Sequence, residues 1–473
     1  MCIKFLRKGK VDFMKMHFLG ICGTAMGSVA VALKEQGHEI TGSDAHVYPP
    51  MSTFLERRGI QLSSGYREEN IPEDAEVIVV GNAISRGNPE VEAVLNRKLP
   101  YLSLPETLRR FILPGRHNLV VTGTHGKTTT TSLLAWIFES SGRKPAYMIG
   151  GIPENLGQGA NLRPSPFCIL EGDEYDTAFF DKRSKFLHYL PELVIVNNIE
   201  FDHADIFRDL DEIMTSFRRL LQLVPTNGVA LLNADDCNTL EIGKSSPAPV
   251  LTVGFSEDAD RRIQNVTWDG THSHFELLGE SFSLSLFGEF NIRNAAMAIS
   301  AAHFYEIPFA EIRKALLSFK GIKRRQELRG EVRGIKIIDD FGHHPTAIQQ
   351  TLAGFRQIHP EARLWAVFEP RSNTTRRAVF QDRLPEAFRE AYGVAISKVA
   401  RLELLAEGDR LHPEKVVADL RAQGKEAFYE PDADAIVEKL VPLLRKDDMV
   451  IIFSNGGFDQ IHEKLIHRIQ EEN

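Results

Sequence analysis

Asn118-Leu-Val-Val-Thr-Gly-Thr-His-Gly-Lys-Thr-Thr129 decides the fold. A short apolar run reads as a buried strand, a glycine turn follows, and Lys-Thr-Thr opens an apolar-periodic helix running to about residue 141. Gly123 and Gly126 let backbone N–H groups turn towards phosphate oxygens, and the helix directs its positive end at the same anion. Lys127 has the reach for the β- and γ-phosphates of ATP, and the Thr128 hydroxyl suits Mg²⁺. Thr124, His125 and Thr129 complete the loop, which has one residue fewer than the common phosphate-loop pattern. The bland alternative is a plain strand–turn–helix connection. Glycine followed by Lys-Thr-Thr at this junction favours ATP binding.

A phosphate loop needs a metal partner. Glu171-Gly-Asp-Glu-Tyr-Asp follows the apolar run Phe167–Leu170, and Asn198-Ile-Glu-Phe-Asp-His follows Leu193-Val-Ile-Val. Both acidic clusters should emerge at the carboxyl edge of a parallel sheet, where ligands bind in open α/β folds. Glu171 fits Mg²⁺, which prefers oxygen ligands; His203 suits a second, looser position. Taken singly, each acid is more simply a solvated loop charge or a helix cap.

Working outward, three segments each begin with a strand and a glycine-rich turn. Residues 16–114 open His17-Phe-Leu-Gly-Ile-Cys-Gly-Thr-Ala-Met-Gly and carry further strands at Glu39–Asp44 and Ala75–Asn82. Residues 115–323 hold the phosphate loop, with β-rich structure from 225 to 290 appended to the central sheet. Residues 324–473 carry strands at Ile335–Asp340, Arg363–Phe368 and Met449–Phe453. The expectation is an α/β protein of three domains: Rossmann-like, then an ATPase-type mainly parallel sheet, then Rossmann-like again. Residues 1–15 are expected to be a loose extension or an upstream start. They are basic but lack the apolar core of a signal peptide.

The chain has 473 residues, a size of two to four domains at ~150 residues each. Its net charge of -8 argues against non-specific nucleic-acid binding. No run approaches the ~20 apolar residues that would span a membrane. Four cysteines, Cys2, Cys22, Cys168 and Cys237, lack metal or redox spacing, and a reduced, cytoplasmic compartment is the simplest expectation. The sequence leaves the oligomeric state open, with a monomer among the options.

These motifs, with Asn291, Asn294 and Asp339-Asp-Phe-Gly-His-His-Pro, resemble the Mur ligase family, ATP-dependent amide ligases of peptidoglycan building, over essentially the whole chain from Met16. Five further stretches resemble one branch of that family. They are Gly42–Thr53, Gly81–Glu90, Ala178–Phe186, Glu369–Thr374 and Ser454–Phe458. That branch joins UDP-N-acetylmuramate to the tripeptide L-alanyl-γ-D-glutamyl-meso-diaminopimelate in cell-wall recycling. The resemblance implies ATP contacts from Asn291, Asn294, Arg325 and Asp340, with His344 reaching the nucleotide when the domains close. It implies UDP-sugar contacts from Gly20, Gly23, Thr24, Met26, Gly27, Ser43, Asp44, Asn82, Ala83 and Asn88. Arg371, Ser372 and Asn373 are expected to hold the peptide, with Arg371 reading its diaminopimelate end. Lys182, Arg183 and Lys185 form a basic run, either a solvated face or a contact to the UDP-sugar. Read without the resemblance, His343-His344-Pro345 is equally a turn ahead of a helix, and Gly20–Gly27 a close strand–helix turn.

Three departures from the family pattern stand out. Phe290 replaces a histidine found in many relatives. Thr215-Ser-Phe-Arg-Arg lacks the lysine that several members carbamoylate, so that modification is not expected here. Gly342 is a small variation without expected chemical consequence. The implied mechanism transfers the γ-phosphoryl group of ATP to the lactyl carboxylate, and the peptide amine then attacks the acyl phosphate. Lys127, Glu171, His203 and His344 are the candidate catalytic groups. Ligation of L-alanine in place of the tripeptide is the first alternative. A nicotinamide-linked enzyme, suggested by Asp44 at a strand end, leaves the phosphate loop unexplained. A non-catalytic nucleotide-binding regulator leaves the retained Lys127, Thr128, Glu171 and His203 unexplained.

Overall fold

A computed structural model describes residues 13–472, so the greater part of the expected 1–15 extension lies outside the described residues. The first sheet is all parallel: β1 (Lys15–Leu19), β2 (Glu39–Asp44), β3 (Gln61–Ser64), β4 (Val77–Val80) and β5 (Tyr101–Ser103), in the order β3-β2-β1-β4-β5. All four residues of β4 are buried, as expected of a parallel strand covered on both faces. Gly20, at φ +82°, turns the chain out of β1 towards the helix Thr24–Glu35.

The second sheet is built round β6 (His117–Thr122), with β7 (Ala146–Met148), β8 (Ala160–Asn161) and β9 (Phe167–Glu171) on one side. A small hairpin, β10 (Asp176–Ala178) and β11 (Asp181–Ser184), stands apart from it. On the other side lie β12 (Leu193–Val196), β13 (Val229–Asn233), β14 (Val250–Gly254) and β15 (Arg261–Arg262). The order β15-β14-β13-β12-β6-β9-β7-β8 is parallel throughout except for β7–β8. Thus only part of the β-rich 225–290 stretch extends the central sheet. β16 (Gln264–Trp268), β17 (Ser273–Leu277) and β18 (Glu280–Leu284) form a separate antiparallel sheet, whose inward Phe275 and Phe282 pack at 5.8 Å between rings.

The third sheet contains β19 (Glu327–Val332), β20 (Ile335–Asp340), β21 (Leu364–Phe368), β22 (Gly393–Ser397), β23 (Glu426–Glu430) and β24 (Met449–Phe453), in the order β19-β20-β24-β21-β22-β23. Only β19–β20 is antiparallel. One apolar cluster joins the helix face of the first sheet to one face of the central sheet. The two faces of the third sheet carry their own clusters, which hold no residue before Val332. The hydrogen bonds that tie this C-terminal unit to the centre are polar contacts at its rim, the arrangement of a domain that docks rather than one that shares a core. No helix of the described residues is long and apolar enough to cross a membrane.

Candidate active site

The carboxyl ends of β6, β9 and β12 converge on one cavity of about 1150 Å³. Its walls come from all three sheets: Gly20 and Asp44 from the first, the phosphate loop from the second, and the 340–351 segment from the third. The phosphate loop is held open by glycine. Gly126 caps the helix Lys127–Ser140 at φ +79°, and a side chain there would meet Asn294 Oδ1 at 2.4 Å. Asn294 and Asn291 lie in the first turns of the helix Glu289–Phe304; Asn291 Nδ2 donates to Phe287 O at 2.8 Å. Phe290, in the place of the family histidine, lines the cavity.

Lys127 Nζ donates to Gly123 O at 2.7 Å and to both oxygens of Glu174 at 3.0 Å. Burial alone would lower the Lys127 pKa, but Glu174 and Asp173 hold it above the usual lysine value. Glu174 also lies 2.8 Å from His203 Nε2. Burial would push the Glu174 carboxyl up, and the Lys127 ammonium with His203 outweighs it and keeps it ionised. His203 itself sits at φ +56°, its ring 4.2 Å from that of Tyr175. Glu174, which is not among the candidate residues of the motif, is therefore the acid that joins the loop lysine to the histidine. The sequence does carry a signal: four acids, Glu171, Asp173, Glu174 and Asp176, fall within six residues at one strand end.

Thr128 Oγ1 donates to Glu171 Oε1 at 2.9 Å, and Gly150 N–H donates to Glu171 Oε2 at 2.6 Å. Burial raises the Glu171 pKa against the pull of these donors and of Lys127. From the third sheet, Asp340 accepts the N–H groups of Gly342 at 2.7 Å and Gln326 at 3.1 Å, and burial raises its pKa. Arg325 stacks on Phe341 at 5.0 Å and lines the cavity. His344 serves two ends at once. Its Nδ1 accepts Thr346 N–H at 3.2 Å as the cap of the helix Pro345–Ile358, and its Nε2 faces Phe201 O of the central unit at 3.3 Å. Burial, with His125 beside it, lowers its pKa to about 3, so the ring is neutral.

At the other end, Gly20, Gly23, Thr24, Met26, Asp44, Asn82 and Ala83 line the cavity. Asp44 accepts Cys22 N–H at 2.9 Å across the glycine turn. Gly27, Ser43 and Asn88 do not line it. Gly27 packs against Met51 and Ile21, Ser43 donates to the buried Glu90, and Asn88 caps the helix Pro89–Asn96. Arg371, Ser372 and Asn373 follow β21 but stand outside the cavity lining. Arg371 is half exposed and 3.5 Å from Glu369, Ser372 pairs with Thr375, and Asn373 Nδ2 donates to Asp205 at 2.7 Å. Of the basic run, Lys182 and Arg183 pair with Asp176 and Asp181, while Lys185 reaches the cavity wall and pairs with Asp173 at 2.6 Å.

Comparison with known proteins agrees with this geometry along the chain. Three family models match: the Mur ligase catalytic domain at residues 15–115, the Mur ligase middle domain at 121–302 and the Mur ligase glutamate ligase domain at 324–456. The chain is 42% identical to the UDP-N-acetylmuramate–L-alanyl-γ-D-glutamyl-meso-2,6-diaminoheptandioate ligase of Escherichia coli, covering 96% of this chain and 98% of that one. It is 32% identical to the UDP-N-acetylmuramate–L-alanine ligase of Geotalea uraniireducens, over 98% and 99%. The crystal structure of a murein peptide ligase from Psychrobacter arcticus matches at a TM-score of 0.70 and 34% identity, over 97% and 99%. With a phosphate loop, a glycine turn and a docked third sheet closing on one cavity, and with matches along nearly its full length, the chain belongs to the Mur ligase family of ATP-dependent amide-forming enzymes.

Proposed function

We propose that the protein joins the lactyl carboxylate of UDP-N-acetylmuramate to the amine of L-alanyl-γ-D-glutamyl-meso-diaminopimelate, a cytoplasmic step of cell-wall peptide recycling. The carrying observation is that identity to the tripeptide ligases exceeds identity to the L-alanine ligases over the same span. The proposed division is 16–114 for the UDP-sugar, 115–323 for ATP and 324–473 for the peptide.

A carboxylate resists an amine because its charge repels nucleophiles and oxide leaves poorly. Transfer of the γ-phosphoryl group to that carboxylate removes both obstacles. The amine then attacks, and phosphate departs. This chemistry asks the protein for alignment and charge neutralisation. In this reading Lys127 leaves Glu174 to meet the β- and γ-phosphates, and the loop N–H groups hold the rest. Asn291, Asn294, Arg325 and Asp340 surround the nucleotide, and neutral His344 stands beside it with its one N–H turned to Phe201 O, adding no charge. Gly20, Gly23 and Thr24 offer the N-terminal end of the helix Thr24–Glu35 to the diphosphate of the sugar nucleotide.

The half-buried Glu171 carboxylate and the Thr128 hydroxyl beside it fit Mg²⁺, a hard cation that takes oxygen donors, and His203 would add a nitrogen. Such an ion would offset the negative charge on the transferring phosphoryl oxygens. With Nε2 turned to Glu174, His203 keeps Nδ1 for that role.

The deciding test incubates the protein with ATP, Mg²⁺ and UDP-N-acetylmuramate and compares acceptors. The tripeptide is expected to exceed L-alanine in kcat/KM by about 10,000-fold, the scale at which a site built to pair with polar groups rejects a ligand lacking them. A preference for L-alanine would assign the biosynthetic reaction instead. Arg371→Ala is expected to raise the tripeptide KM about tenfold and leave the ATP KM within about twofold, since bidentate carboxylate recognition is lost. Equal effects on both substrates would remove Arg371 from the peptide site.

A further inference from the structure

Glu200 lies on the turn after β12 and is absent from every role assigned above. The turn is stitched to the phosphate loop by backbone and side-chain hydrogen bonds. Thr124 N–H donates to Asn198 O at 3.0 Å, His125 N–H to Asn198 Oδ1 at 2.8 Å, and Glu200 N–H to Thr124 Oγ1 at 2.8 Å. The Glu200 carboxylate then faces two ways. Its Oε1 lies 3.5 Å from Nε2 of His125, a phosphate-loop side chain. Its Oε2 accepts the Thr346 hydroxyl at 2.8 Å and Arg383 Nη2 at 3.2 Å, both from the C-terminal unit. Arg383 in turn lies over Phe380, whose ring meets His344 at 4.6 Å.

The same groups admit another reading. Ligand atoms of His125, Glu200 and His344 lie within 4.8 Å of one another, a spacing open to a metal ion. The hydrogen bonds argue against it. Nδ1 of His344 accepts Thr346 N–H, so in the neutral ring the proton sits on Nε2, which points to Phe201 O as a donor. Arg383 already supplies a cation to Glu200. The cluster is wired as a junction between units.

Among the described residues no apolar cluster spans the C-terminal unit and the centre; beside the close approach of Gly354 to Phe287 and Gly288, polar contacts dock the unit. Asn373 to Asp205, Thr374 to Ala204 and His344 to Phe201 each join the C-terminal unit to the turn after β12. Among the described residues Glu200 is the acceptor in this set whose side chain also faces a phosphate-loop side chain. We propose that Glu200 is a positioning residue that couples the state of the phosphate loop to docking of the C-terminal unit, bringing the acceptor amine to the activated carboxylate. The proposal rests on the amide-ligase reading.

The test uses the full chain and the variants Glu200→Ala, Arg383→Ala, Thr346→Val and Glu200→Ala/Arg383→Ala. Steady-state ligation, equilibrium binding of a non-hydrolysable ATP analogue with Mg²⁺, and small-angle X-ray scattering with that analogue are read in parallel. Glu200→Ala is expected to lower kcat about 30-fold while analogue affinity moves less than about threefold, because misplacement rather than binding is the defect. The analogue compacts the wild type and fails to compact this variant. The double variant is expected to be no worse than Glu200→Ala alone, as for groups that share one contact. Multiplied losses in the double variant, or normal compaction of Glu200→Ala, would overturn the proposal. If Glu200→Ala does not fold, Thr346→Val removes one hydroxyl only and must still weaken compaction; unchanged compaction overturns the proposal equally. Compaction lost with Glu200 supports the coupling whichever acceptor the enzyme ligates, so its failure is separable from that of the assigned reaction.

Discussion

Lys127→Ala is expected to lower kcat/KM by about 1,000-fold or more, the loss seen when a donor aimed at developing charge is removed from a water-poor site. The structure adds a second consequence. Lys127 holds both oxygens of Glu174 at 3.0 Å, and the Glu174 side chain is only 3% exposed. Removing one member of such a pair strands the other charge, which typically costs about 3–5 kcal/mol. The variant should therefore lose turnover and also unfold at lower urea. The two effects separate in the double variant Lys127→Met/Glu174→Gln. It removes the stranded charge, and glutamine still accepts from His203 through its amide oxygen. Most of the stability should return while turnover stays lost. Near-normal ligation by Lys127→Ala would sink the phosphoryl-transfer role, and a double variant no more stable than Lys127→Ala would sink the stranded-charge argument.

The contrast between Lys127 and Glu174 illustrates what a linear reading can reach. The phosphate loop was legible because its chemistry is local. Glycine, lysine and threonine act at fixed offsets on one strand–turn–helix unit. The parallel sheets were legible because buried strands such as Val77–Val80 and Leu193–Val196 are continuous apolar runs. Glu174 and Glu200 were not, because their roles arise from groups 29 to 183 residues away, at His203 and Arg383. Their own neighbours give only acidic loops. Gly27, Ser43 and Asn88 mark the opposite limit. Each stands in a motif beside the cavity, yet serves a helix contact, a buried carboxylate or a helix cap. His344 shows that the two readings of one residue need not compete, since its two ring nitrogens face different partners.

Gly123→Ala is the second change with a large expected effect, and it tests whether the loop and the turn after β12 form one unit. Gly123 sits at φ +124°, a conformation that costs an L-residue about 1–3 kcal/mol. A Cβ there would lie 2.9 Å from Asn198 N and 3.0 Å from both Asn197 N and Asn198 O. These are backbone atoms of the turn that carries Glu200 and His203, so no side chain can swing away to make room. Either the loop or the turn must move. Gly123 O, the acceptor of Lys127 at 2.7 Å, moves with the first, and His203 moves with the second. A shift of about 1 Å in either is expected to cost at least about 100-fold in kcat. Gly142→Ala is the control. It shares the left-handed strain at φ +76°, beyond the far end of the same helix, but its Cβ would meet nothing within 4 Å. Its loss is expected to stay near 1 kcal/mol with ligation intact, the strain of a left-handed alanine alone. Urea unfolding and steady-state ligation on both variants decide the matter. Comparable small losses in the two would mean that the turn yields freely, and the rigid junction between the phosphate loop and the Glu200 turn would have to be given up.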